Sequence, residues 1–176
     1  MLDNNSSFTA TEIQNLVTGG KFKEALDALD RKDIEINKRD FYYFKAVCYR
    51  YLKDHTNAHL VLNELIKFFP NYARAYQELG YIYSIKKDEK KALRAFLRAV
   101  RLNDSLHASW LSIVKLADGN EKLLKMCDEN IYYLKNLPPE LKTVLSYTNE
   151  GKLAKADHIC RDYLQKKPHD VEAMRL

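Results

Sequence analysis

The sequence predicts an all-α fold: a solenoid of stacked antiparallel helix pairs wound into a right-handed superhelix, with about five repeats. Three observations predict it. Tyr76, Leu79 and Tyr83, and then Ala92, Phe96 and Ala99, recur at three- and four-residue spacing, so each run presents one apolar helix face. The polar stretch Lys86-Lys87-Asp88-Glu89 separates the two faces as a turn, and Gly80 stands where a side chain would hold the helices apart. The same residue types then return at a spacing of 34: Tyr42 with Tyr76, Ala46 with Gly80, Tyr49 with Tyr83, Ala58 with Ala92, Pro70 with Asp104. A fixed period of this length is the mark of a chain built by stacking one supersecondary unit.

Taken in order, the units fall at about 8–38, 39–72, 73–106, 107–138 and 139–170, with the start of a further helix at 171–176, all in one domain spanning 1–176. In the first, Ile13 and Leu16 give a short helix, Gly19-Gly20 a turn, and Phe22, Ala25, Leu26 and Leu29 a second helix. The second and third carry the strict repeat. In the fourth, Trp110 takes the place of Tyr76, the first helix ends at Asp118-Gly119-Asn120, and Leu123, Leu124, Cys127, Ile131 and Leu134 form the second. Pro138 keeps the period. The fifth is shorter, built from Leu141, Val144, Leu145, Gly151, Ala156, Cys160 and Tyr163 and closed by Pro168. Asp170 is an N-cap for the last stretch.

The order aromatic, Leu-Gly, Tyr, then Ala, Phe and Ala in residues 71–105 resembles the tetratricopeptide repeat (TPR). Its closing proline is replaced by Asp104. Stretches such as Ala73-Arg74-Ala75-Tyr76-Gln77-Glu78-Leu79-Gly80, Ala108-Ser109-Trp110 and the tail from Leu137-Pro138-Pro139 to Val171-Glu172-Ala173-Met174-Arg175-Leu176 further resemble the N-terminal repeats of bacterial TPR-sulfotransferases. In that family a sulfotransferase domain follows the repeats. Its phosphosulfate-binding loop is absent from this sequence, so the resemblance implies a partner domain rather than an activity of these residues. Arrays of this kind end in a helix with a polar outer face, and Val171-Glu172-Ala173-Met174-Arg175-Leu176 is not one. The expectation is a chain truncated at its C-terminus, with that uncapped helix open to self-association.

Composition narrows the function classes. Apolar residues at 46% and charged residues at 30% fit a soluble globular or solenoid protein. A net charge of +5 is spread through interleaved acids and bases without a basic stripe, which argues against nucleic acid as partner. No apolar run reaches membrane-spanning length and the start does not read as a secretory signal, so the expected compartment is cytoplasmic, with no membrane partner. The Asn5-Ser-Ser and Asn103-Asp-Ser sequons then carry no meaning. Cys48, Cys127 and Cys160, an odd number widely spaced, read as reduced buried thiols.

Catalytic chemistry is not in evidence. His55 and His59 share a helix face but lack a third metal ligand. His158 and Cys160, two residues apart on a helix, point to different sides. No phosphate-cradling glycine loop occurs. The expectation is a non-enzyme without cofactor or metal. The first helix of each unit would line the inner wall, placing Tyr43, Phe44, Val47, Arg50, Tyr51, Arg74, Gln77, Glu78, Tyr81 and Ile85 in a groove for a peptide or helix of a protein partner. Apolar area there would supply affinity and charge would supply direction. The alternative for any one tyrosine is that it packs on a neighbouring helix. TPR modules that grip C-terminal carboxylates of heat-shock chaperones use lysine, asparagine and arginine where this chain has Ala10, Gln14, Phe44, Arg74 and Glu78. Only Arg74 has the matching charge, so that clamp is absent. Two functions remain: a protein-interaction scaffold, or the substrate-positioning repeat region of a larger enzyme, a sulfotransferase.

Overall fold

The computed structural model describes residues 8–31 and 33–176. The opening residues 1–7, with the reading of the chain start and the Asn5 sequon, lie outside the described residues. Among the described residues the helices are α1 (Ala10–Thr18), α2 (Phe22–Leu29), α3 (Lys38–Tyr51), α4 (His55–Phe68), α5 (Ala73–Ile85), α6 (Glu89–Leu102), α7 (His107–Leu116), α8 (Glu121–Asn136), α9 (Pro139–Asn149), α10 (Leu153–Lys166) and the short α11 (Val171–Arg175). A lone parallel bridge between Thr9 and Glu35 ties the approach to α1 to the approach to α3. No described helix is long and apolar enough to cross a membrane.

Local chemistry starts the helices. The side chains of Thr9, Asn37, Asp54, Asp88, Asn120 and Asp170 each accept a hydrogen bond from the backbone N–H three residues on. Each such cap satisfies a donor the helix cannot, and is worth about 1 kcal/mol. Asp54 and Asp88 are the same position of two repeats. The residues before them, Lys53 and Lys87, both turn through the left-handed region at φ 65° and 59°. The repeat is therefore copied down to its turn geometry.

Packing follows the same period. A Cβ built on Gly80 of α5 would meet the Phe96 ring of α6 at 2.5–2.7 Å, so the close approach of that pair requires a glycine. One repeat earlier Ala46 and Leu62 take these places, both fully buried in one apolar cluster. A larger residue on one helix is matched by a smaller one on the other. Further along, Phe96, Trp110, Ile113, Cys127 and Leu134 fill a core shared by α6, α7 and α8. Cys48 is buried, and that burial pushes its thiol up to about 12. All three cysteines are free thiols.

The fifth pair is set differently. Leu137 and Pro138 are extended (ψ 134° and 146°), as the residue before a proline prefers, and Pro139 opens α9. Past this bend α9 and α10 pack on each other, and α10 on α11, around their own core of Leu141, Val144, Ala156, Tyr163 and Ala173. None of the first eight helices comes into comparable backbone contact with them. The last turn of α9 meets the start of α5 and the approach to α7. There the Asn149 amide donates to Asn103 Oδ1 (3.2 Å) and Asp104 Oδ1 (2.9 Å), and Arg74 Nε donates to Glu150 Oε1 (2.6 Å).

Candidate functional groove

Two helices build the wall. On α3, Tyr43, Phe44, Val47, Arg50 and Tyr51 follow the helical repeat down one side; on α5, Arg74, Gln77, Glu78, Tyr81 and Ile85 do the same. The two stripes face each other, because Arg50 Nε donates to Glu78 Oε2 across the gap. Four of the ten are buried in the wall, although Phe44 and Val47 still line the cavity between α1, α3 and the α9–α10 turn. Phe44 is buried with Ile13, Ala28 and Leu29, and Val47 is buried beside it on α3. Gln77 is buried and its amide donates to Ser109 Oγ (2.8 Å), which ties α5 to α7. Glu78, 4% exposed, is consumed by Arg50. Sequence periodicity gives a side of a helix but does not say how deep the next helix sinks into it.

The other six remain reachable. Tyr51 and Ile85 are about half exposed, at 53% and 51%. Tyr43, Arg50, Arg74 and Tyr81 are half-buried. Tyr51 stacks flat on Phe22 (centroids 4.4 Å), and the Arg50 guanidinium lies over the rings of Tyr51 (4.1 Å) and Tyr81 (5.1 Å). Tyr81 meets the Phe96 ring edge-on at 5.3 Å, so it anchors the wall as well as facing the groove. Aromatic faces capped by a guanidinium make an amphipathic surface at little conformational cost.

The end of the groove near Arg74 is not open. A cavity of about 440 Å³ lies between α1, α3 and the α9–α10 turn, lined among others by Gln14, Asp40, Tyr43, Arg74, Glu150 and Lys155. A second, of about 280 Å³, lies on the other side, lined by Arg39, Phe68, Phe69, Pro70 and Asn149. Tyr72, Arg74 and Glu150 bound both. No sequence pattern pointed to Glu150 here. It is 76 residues from its partner, and no periodic pattern links them.

The charges at this point hold one another. Burial pushes the Tyr43 hydroxyl up to about 12, and the Glu78 charge adds to it. Burial opposes the Arg74 charge, but Tyr43, Glu150 and Tyr72 outweigh it and keep Arg74 above the ordinary arginine value. Burial also opposes ionised Glu150; hydrogen bonds from Lys152 Nζ (2.6 Å) and Arg74 outweigh it and hold the carboxyl below its ordinary 4.5. A lowered carboxyl pKa contributes stability that is present above about pH 4.5 and lost as pH falls below it through the folded-state value. Arg39, Asp40, Tyr147, Lys155 and the two tyrosines are the other titratable groups lining this junction. On acidification through this range, the amide NMR signals of Asn149 to Lys152 are expected to shift before those of α3 and α5.

Other candidates stay apart. His59 Nε2 lies 3.1 Å from the Tyr83 hydroxyl and Nδ1 lies 3.3 Å from the Asn63 amide, so both ring nitrogens are engaged. His158 is exposed beside Asp162, while the Cys160 thiol donates to the Ala173 carbonyl. Among the described residues no three His, Cys, Asp or Glu side chains gather where they could hold a metal ion.

Residues 73–105, the α5–α6 pair with its turns, match the family model described as tetratricopeptide repeat. The chain has the fold of a TPR solenoid. Two crystal structures of MamA share its fold: one at 20% identity and TM-score 0.53 over 83% of this chain and 78% of that one, the other at 19% and 0.55 over 90% and 92%. At such identities the likeness speaks for the fold alone. No curated protein matches the sequence. None of these findings bears on the resemblance to TPR-sulfotransferases. In the matched unit α5 is the first helix and α6 the second.

Proposed function

We propose that this chain is a non-catalytic scaffold that takes an extended or helical segment of a partner protein in its concave groove. The observation that carries the reading is the row of Tyr51, Arg50, Tyr81 and Ile85, which offers apolar area and charge on a rigid wall and is not used up by internal packing at Tyr51 and Ile85. Grooves of this make-up bind through a few large side chains, each worth about 1–2 kcal/mol. Self-association through α11 belongs to the same proposal, supported by Val171 and Met174, which are 67% and 59% exposed.

The test selects binders from a random 12-residue peptide library displayed on phage. Tyr51→Ser and Ile85→Ser are each expected to weaken the best peptide about tenfold, while Tm moves by no more than about 2 °C. Undiminished binding by both variants would remove the groove from the proposal.

A further inference from the structure

The geometry points to the α9–α10 turn as an internal ligand: Glu150 occupies the Arg74 end of the groove, and a partner must displace it with an acidic side chain of its own. This rests on the groove reading and adds the chemistry of the partner and the regulation of the site.

The placement carries the argument. Glu150 belongs to the fifth pair but has its carboxylate on Arg74 of the third, with the side chain 5% exposed. Arg74 keeps 35% of its side chain exposed, so its guanidinium is reachable from the cavities on either side. Both cavities end at Tyr72, Arg74 and Glu150. Withdrawing Glu150 would join them into one trough along α3 and α5, leaving Arg74 without its carboxylate.

The fifth pair is also built to move as a unit. It holds its own core, which takes in Leu137, and it joins α8 through the extended Leu137-Pro138 bend and two surface hydrogen bonds, Tyr133 hydroxyl to Glu172 and Lys142 Nζ to the Lys135 carbonyl. Its attachments to the groove are polar: Glu150 on Arg74 and Asn149 on Asn103 and Asp104, with Leu145 packed at the margin of the neighbouring cluster. A peptide carboxylate reproduces the ion pair in kind, and the trough then covers apolar surface that the turn leaves empty. Displacement therefore exchanges like for like at Arg74 and gains contact elsewhere. A basic or neutral segment would leave the Arg74 charge partly buried and unpaired, which is costly. Arg39 and Asp40 on the cavity walls hold each other, so Arg74 is the charge left on the stationary helices to set the sign of the ligand.

The experiment has two arms. Nitroxide labels on Lys67→Cys and Ala154→Cys, in a Cys160→Ser background, report the distance between α4 and α10. In the wild-type background one short distance is expected. Glu150→Ala, and Glu150→Gln as the conservative check, should add a longer population. In parallel, the 12-residue phage library is selected on wild type and on Glu150→Ala. Selected peptides should carry Asp or Glu and bind Glu150→Ala about tenfold tighter, because the closed fraction no longer competes. Changing the peptide's acid to its amide, or Arg74 to Ala, should abolish that gain. An unchanged distance distribution in both Glu150 variants overturns the latch. Opening without acidic preference, or without tighter binding, overturns the acidic partner. Absence of any groove-binding peptide in either background is the failure of the scaffold reading itself, and the distances then still decide whether the turn moves.

Discussion

Phe96→Ala is expected to lower the stability of this protein by about 3–5 kcal/mol, the range for removing a fully buried aromatic side chain. Phe96 is 1% exposed and joins α5, α6, α7 and α8: it closes on Gly80, takes the edge of Tyr81 and shares a core with Trp110, Ile113 and Cys127. Repeat proteins are held by contacts between neighbours, so a cavity here uncouples the central pairs. The contact with Gly80 gives the sharper test. Gly80→Ala places a Cβ about 2.5 Å from a buried ring that cannot swing away. Overpacking of this kind costs about 1–3 kcal/mol, offset by the roughly 1 kcal/mol that alanine gains in a helix. Gly80→Ala is therefore destabilising in the wild-type background. In Phe96→Ala the clash is gone and the helix gain remains, so Gly80→Ala should there be stabilising. Urea unfolding followed by circular dichroism reads both; a destabilising Gly80→Ala in both backgrounds would show that the ring is not what excludes the side chain.

The second large effect concerns Arg50 and Glu78. Arg50→Met leaves a 4% exposed carboxylate with only the more distant Arg74 to oppose its burial, and an expected loss of about 3 kcal/mol at pH 7. Burial already pushes the Glu78 carboxyl up, against the pull of Arg50 and Arg74; without Arg50 it rises further. A carboxyl whose folded-state pKa lies above the unfolded one costs stability at high pH and recovers it as pH falls through the folded value. The deficit of Arg50→Met should thus shrink between pH 7 and pH 5, and the double variant Arg50→Met with Glu78→Met should regain most of it at pH 7. A deficit independent of pH would mean that Arg50 acts through its packing on Tyr51 and Tyr81 rather than through its charge.

What the sequence disclosed was whatever repeats. The 34-residue period located Gly80 against its facing helix and the polar turn at Lys86 to Glu89; the structure adds that the turn geometry at Lys87 and the Asp88 cap are copied at Lys53 and Asp54. It also put the Arg50 side of α3 and the Glu78 side of α5 together, as their ion pair requires. It could not say how deeply Phe44, Val47, Gln77 and Glu78 are buried, because depth depends on the shape of the neighbour. The setting of the fifth pair was hidden for a different reason. Pro138 keeps the period in register, yet the Leu137-Pro138 bend redirects the chain, and the contact of Glu150 with Arg74 joins residues that no local pattern relates.

The most direct measurement of the central claim is a titration of the ¹⁵N-labelled protein with the best library peptide, followed by NMR. Binding in the groove predicts that the amide signals of Arg50, Tyr51, Tyr81 and Ile85 move together and saturate with the peptide. Shifts confined to the outer helices α4 and α6, with those four signals still, would contradict it.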